Sequence, residues 1–140
     1  MKVKILPSKT SGEVSAPPSK SFAHRYLIGS VLSRGKCVIK NIADSDDISA
    51  TLSCIEQLGG SVTKDGNIVT VIPTNEKQIE NAVFDCKESG STLRFFIPVV
   101  LATGAKNCTF SGSERLLARG IKEYEKLFEN SGVEIKSDEK

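Results

Sequence analysis

The sequence predicts an α/β (α+β) chain made of about two repeated β-α-β-α-β-β units with small mixed sheets. Three observations predict it. Apolar residues at helical spacing alternate with short β-branched runs along the chain. Asp65-Gly66-Asn67 stands between two such runs, as a hairpin turn requires. The order of elements also recurs: Ser91 stands 70 positions after Ser21, and Gly104 stands 69 after Gly35. That period is too long for a common solenoid. It fits one duplicated supersecondary unit.

In the first copy, residues 19–33 read as a helix. Pro18 precedes it, Ser19 can cap it, and Ala23, Leu27 and Val31 share a face. Arg34-Gly35 is expected to end it. Cys37-Val38-Ile39 reads as a strand. Asp44 and Ser45 are cap candidates for a second helix through Leu58, with Ile48, Leu52 and Ile55 apolar and Gly59-Gly60 as the stop. A hairpin follows, from Ser61-Val62-Thr63 to Ile68–Ile72. In the second copy Val83-Phe84 is a strand, and Ser89-Gly90-Ser91 opens a helix running to Ala102 and ending near Gly104. Cys108-Thr109-Phe110 is the next strand. A helix around 119–130 and a strand Val133-Glu134-Ile135 complete the pattern. Pro98 falls inside the third helix and should kink it or delay its start.

Bulk properties exclude several function classes. The 140 residues are 39% hydrophobic and 26% charged, which suits one domain with a core. Nineteen Lys and Arg against seventeen Asp and Glu leave a net charge of +2, so no nucleic-acid partner is expected. No run is long and apolar enough for a membrane span, and MKVKILPSKT lacks the apolar centre of a signal peptide. The four cysteines form no C-x-x-C pair and His24 is the only histidine, so no metal site is expected. Scattered cysteines read as reduced thiols of a cytoplasmic protein.

The basic residues matter by where they cluster. Ser19-Lys20-Ser21 with Arg25 opens the first helix. A helix N-terminus offers free N–H groups and a positive dipole end to an anion, and Ser21 and Arg25 lie four apart on one face. Glu88-Ser89-Gly90-Ser91-Thr92 with Arg94 repeats this logic, and Gly90 lets a ligand approach the backbone. Ser113–Gly120 carries Arg115 and Arg119 four apart, and arginine grips carboxylate or phosphate bidentately. Taken singly, each segment reads as readily as an ordinary cap or a solvated helix face. Together they suggest two anion sites sharing one cleft. His24 reads as packing, Asp44–Asp47 as an acidic helix opening, and Tyr26, Phe95, Phe96 and Phe110 as core.

Four segments carry a family resemblance. Pro18-Ser19-Lys20-Ser21-Phe22-Ala23-His24-Arg25 resembles the P-S-K-S-x-x-x-R signature of the EPSP synthase (3-phosphoshikimate 1-carboxyvinyltransferase) family of enolpyruvyl transferases. Asn41–Asp47 is similar to its approach to D-S-D-D, Ser89–Arg94 to its A-G-T-x-x-R segment, and Ser111–Arg119 to its G-x-x-R-x-x-x-R segment. The resemblance departs at Glu88, where the family often has Asn, at Ser91, where Thr is frequent, and at Phe95, where many relatives have Pro.

The resemblance implies enolpyruvyl transfer from phosphoenolpyruvate to shikimate 3-phosphate, on the route to aromatic amino acids, without metal or organic cofactor. It assigns Lys20, Ser21 and Arg25 to shikimate 3-phosphate, and Lys20, Gly90 and Arg119 to phosphoenolpyruvate. Ser91, Arg94 and Arg115 would assist. It implies a partial N-terminal lobe over 1–140: an opening strand region at 1–14 that joins the other lobe, a first unit at 15–73, and an incomplete second unit at 81–140. No catalytic proton-handling residue falls in this stretch, since the family carries those groups in its C-terminal lobe. The chain alone is therefore expected to supply substrate-binding residues, to turn over nothing, and to associate with itself or pack loosely where a missing unit leaves apolar helix faces uncovered. A transferase acting on UDP-N-acetylglucosamine is the nearest alternative, but its reactive loop holds a cysteine and Ser111–Arg119 has none. A non-catalytic anion-binding module is the alternative of another class.

Overall fold

A computed structural model describes residues 2–74 and 79–137. Met1 and residues 138–140, at the outer ends of the expected ranges 1–14 and 81–140, lie outside the described residues.

Three serine caps start the three main helices. Helix α1, Lys20–Val31, opens where Ser19 Oγ accepts the Phe22 N–H. Helix α2, Asp46–Gln57, opens where Ser45 Oγ accepts the Ile48 N–H, with Asp46 and Asp47 complementing the dipole. Asp44, the other cap candidate, pairs instead with Lys64. Helix α3, Gly90–Ala102, opens where Ser89 Oγ accepts the Thr92 N–H.

Helix ends follow hydrogen-bond supply. Helix α1 stops at Val31, before the expected Arg34-Gly35: Leu32 is its C-cap, and the N–H and hydroxyl of Ser33 both donate to the Ser30 carbonyl. Gly104, by contrast, ends α3 in the left-handed region at φ 76°, which Gly35 does not adopt. The Gly35/Gly104 correspondence is therefore one of sequence spacing, not of conformation. Pro98 does not end α3. It withdraws the N–H that would bond the Arg94 carbonyl, and the Tyr124 hydroxyl donates to that oxygen at 2.7 Å instead.

The strands form two small sheets. In the first, β1 (Cys37–Ile39), β2 (Ser61–Asp65) and β3 (Ile68–Ile72) lie in the antiparallel order β1-β3-β2. The pairing of Asp65 with Ile68 leaves Gly66-Asn67 as a two-residue turn. Central β3 buries Val69 and Val71 toward the helices. In the second sheet, β4 (Val83–Asp85) and β5 (Thr109–Ser111) run parallel, with α3 as the crossover between them. The mixed α/β architecture expected from the sequence is thus present, and one core joins both sheets to the helices. Leu27, Ile48, Ile55, Val71, Phe84 and Phe96 are fully buried in it. Each contributes on the order of 1.5–3 kcal/mol by leaving water. The Phe84 ring packs on Phe110 at 5.1 Å and Phe96 at 6.0 Å between centroids.

Residues 2–19 form no strand within this chain; the strand expected at 1–14 is one that joins another lobe. Val3, Ile5, Leu6 and Val14 are exposed and the segment meets no sheet edge among the described residues. Two expectations need correction. Val133–Ile135 pairs with no segment among the described residues, so no strand is seen there. The helix expected around 119–130 is the shorter α5, Lys122–Phe128, and a separate four-residue helix, α4, Glu114–Leu117, lies before that range. Ser113 caps α4, and Gly120, at φ 64°, turns the chain before α5 begins. Arg119 therefore sits in a turn between helices.

Candidate anion-binding site

The three helix layers bring separate sequence segments to one hollow of about 450 Å³. Asp47, Glu88, Ser89, Gly90, Ser91, Arg94, Phe95 and Arg119 line it. Its floor is the opening turn of α3. Ser89 is buried by its capping role, so Gly90 and Ser91 are the residues that face outward at the helix start. Arg94, one turn further on, rises on the same face as Gly90. Arg119 approaches from the α4–α5 turn.

The glycine is where the two guanidinium groups meet. A Cβ built on Gly90 would stand 3.1 Å from Arg94 Nη1 and 3.3 Å from Arg119 Nη1. Buried Leu116 fixes the α4 side of the hollow. It lies 3.8 Å from that same Cβ position and packs onto Gly112, where a Cβ would meet Leu116 Cδ2 and the Lys87 carbonyl, each at 2.7 Å. Among the described residues, neither Arg94 nor Arg119 has a carboxylate within ion-pair distance. Two guanidinium groups without a carboxylate partner among the described residues thus stand over the free N–H groups of a helix start, an arrangement whose charge and donors are complementary to an anion.

The first-copy residues flank this hollow rather than line it. Lys20 Nζ lies 3.5 Å from Asp47 Oδ2, which draws the lysine to the rim. Arg25 Nη1 donates to the Ser21 carbonyl at 2.8 Å and to the Ser21 hydroxyl, and its guanidinium lies over the Phe95 ring at 5.4 Å. Phe95 lines the hollow, so its ring is shared between the Arg25 flank and the Arg94–Arg119 centre. Arg115 is exposed on α4 and does not reach the hollow. Of the residues singled out by sequence, Gly90, Ser91, Arg94 and Arg119 thus come together, Lys20, Ser21 and Arg25 stand beside them, and Arg115 stands apart.

Some lining residues were not singled out for binding. Asp47 reads in the sequence as a helix-opening acid, and only the packing of α1 against α2 shows its pairing with Lys20. Phe95 is half-buried where core was expected. Tyr26 is also exposed rather than core, stacked on Phe22 at 6.3 Å. His24 is buried as expected for packing, and its Nδ1 lies 2.8 Å from Thr51 Oγ1. Burial holds the imidazole below its usual pKa; the Asp47 carboxylate opposes this, and Lys20 and Arg25 reinforce it. The Cys54 thiol is pushed up by its hydrogen bond with Cys86 and by burial, which keeps it protonated and inert.

Residues 6–140 match the model of the EPSP synthase (3-phosphoshikimate 1-carboxyvinyltransferase) family. The chain belongs to the EPSP synthase family. Among curated relatives, the 3-phosphoshikimate 1-carboxyvinyltransferase of Clostridium novyi (strain NT) is 40% identical over 96% of this chain and 33% of its own length. That of Clostridium botulinum (strain Eklund 17B / Type B) is 42% identical over 93% of this chain and 31% of its own. That of Clostridioides difficile (strain 630) is 40% identical over 94% and 32%. The chain spans about a third of the length of the EPSP synthases it matches.

Proposed function

We propose that this chain supplies substrate-holding surface for enolpyruvyl transfer from phosphoenolpyruvate to shikimate 3-phosphate. One observation carries the proposal: the Arg94 and Arg119 guanidinium groups converge on Gly90 at the open start of α3. Phosphoenolpyruvate, with a phosphate and a carboxylate, suits that convergence. Gly90 and Arg119 hold it, and Ser91 and Arg94 add a hydroxyl and a second charge. Shikimate 3-phosphate lies toward the α1 flank, held by Ser21 and Arg25. Lys20, at the rim between the two, touches both. Arg115 adds long-range positive potential only.

The chemistry asks for this arrangement. Both substrates are multiply anionic, and their approach is opposed until cations stand between them. Holding them side by side then supplies much of the rate. Glu88 and Asp47 temper the field. Asp47 is partly neutralised by Lys20, whereas Glu88 weakens the phosphoenolpyruvate side. The groups that move protons during addition and elimination come from a second lobe, so the 140 residues alone bind without turnover. We place this activity in the cytoplasm, where the four free cysteines stay reduced. An apolar groove between α1 and α3, lined by Ile28, Leu32, Phe95 and Val99, favours self-association of the isolated chain.

Calorimetry tests the reading. Shikimate 3-phosphate and phosphoenolpyruvate should each bind the purified chain, and UDP-N-acetylglucosamine should not. Absence of heat with both anions, or preference for the nucleotide sugar, refutes the assignment. Product formation by the chain alone would refute the division of labour between lobes.

A further inference from the structure

A buried line of hydroxyl groups joins α1, α2 and α3 beneath the anion site. His24 Nδ1 lies 2.8 Å from Thr51 Oγ1, Thr51 Oγ1 lies 2.8 Å from Thr92 Oγ1, and Thr92 Oγ1 lies 2.7 Å from Ser89 Oγ. All four residues are buried, with His24 at 3% exposure and both threonines at 0%. One proton direction satisfies the whole line. A neutral imidazole protonated on Nδ1 donates to Thr51, Thr51 to Thr92, and Thr92 to Ser89.

The line ends on residues that shape the site. Ser89 Oγ also accepts the Thr92 N–H and so caps the helix start that carries Gly90. The Asp47 carbonyl lies 3.1 Å from Thr51 Oγ1 and 3.4 Å from Thr92 Oγ1. Asp47 in turn holds Lys20 with its carboxylate and lines the hollow. Aliphatic side chains would fill this seam at less desolvation cost, whereas a fully satisfied polar network imposes a single geometry on the helices it joins.

We propose that His24, Thr51 and Thr92 are positioning residues that lock the openings of α1 and α3 in one mutual arrangement, so that the two anion-holding segments act as one site. The inference rests on the reading of the hollow as the substrate site. It predicts an effect transmitted between copies: a change on α3 should be felt at the start of α1, although neither threonine touches a substrate.

The test uses the full 140-residue chain with Thr51→Val, Thr92→Val, the double variant, and Thr51→Ser as rescue. Without ligand, Thr92→Val should shift the amide resonances of Lys20 and Ser21 and the His24 Nδ1 signal. With phosphoenolpyruvate as probe, each valine variant should lose affinity by about tenfold, the scale of one buried hydrogen bond. The double variant should lose no more than the worse single one, and Thr51→Ser should recover most of the loss. Unchanged α1 resonances in Thr92→Val overturn the proposal. So do variants that melt earlier yet bind as tightly as the parent, or losses that simply add. If the parent chain binds no phosphoenolpyruvate, the substrate reading fails by itself, and the ligand-free resonances still decide whether the helix openings are coupled.

Discussion

Replacing Gly90 by alanine separates binding from folding. Gly90 lies within α3 and has no positive φ, so alanine is conformationally allowed there. On backbone preference alone, the change from glycine favours a helix by up to about 1 kcal/mol. The added methyl meets Arg94 Nη1 at 3.1 Å, Arg119 Nη1 at 3.3 Å and Leu116 Cδ1 at 3.8 Å. Both close contacts are ends of flexible side chains, which can swing aside by a few tenths of an ångström at little cost to stability. That swing disturbs the convergence proposed to grip the anion. Loss of one charge-assisted hydrogen bond corresponds to about 1.5–3 kcal/mol, or roughly ten- to a hundredfold in affinity. Thermal melting of Gly90→Ala should therefore match or exceed that of the parent, while calorimetric affinity for phosphoenolpyruvate falls by about that factor. Shikimate 3-phosphate, proposed to lie on the α1 flank, should be affected less. Parental affinity for phosphoenolpyruvate would refute the placement of its anion over Gly90. Loss of folding together with binding would refute the claim that the glycine serves the ligand.

Gly112→Ala should behave in the opposite way: its Cβ would meet the Lys87 carbonyl and Leu116 Cδ2 at 2.7 Å, and a backbone oxygen cannot swing aside, so a urea titration should show destabilisation by about 1–3 kcal/mol. Tyr124→Phe strips the Arg94 carbonyl of its donor and should cost about 1 kcal/mol, whereas in a Pro98→Ala background, where the helix regains an N–H for that oxygen, the same change should cost much less; a double-mutant cycle by chemical denaturation reads the difference. His24 titrates below its unfolded value, so the unfolded chain binds its proton first: stability is full above about pH 6.5, declines as pH falls through 6.5 toward the folded value, and levels off below it. His24→Gln should flatten that part of a urea-midpoint profile measured from pH 8 to pH 5.

Much of this arrangement is legible in the sequence because it is local. Ser19, Ser45 and Ser89 cap helices within three residues of themselves, and Asp65-Gly66-Asn67 joins strands that are its neighbours. Helical spacing alone puts Gly90 and Arg94 on one face, whereas only the family resemblance joined Arg119 to them. What the sequence hides depends on distant partners. The tolerance of Pro98 depends on a tyrosine 26 positions later. Asp47 becomes a lining residue only because α2 packs against α3. Strand Val133–Ile135 had the right composition, but a strand exists only where another offers its edge. Ser113-Glu114 was a readable start signal for α4, a capping serine followed by an acid, and the longer apolar pattern downstream obscured it. The buried His24–Thr51–Thr92 line could not be read at all, since its members come from three helices and each threonine alone looks like an ordinary helix residue.

Arg25 has a thermodynamic consequence of its own. Its guanidinium is already tethered to the first turn of its helix and laid against an aromatic face, so the side chain has given up much of its rotational freedom before any ligand arrives. A free arginine surrenders up to about 2 kcal/mol of such freedom when it is immobilised. An anion docking on this flank therefore meets a cation whose ordering was completed during folding. The association should carry a smaller entropic penalty than one made with a lysine of equal charge.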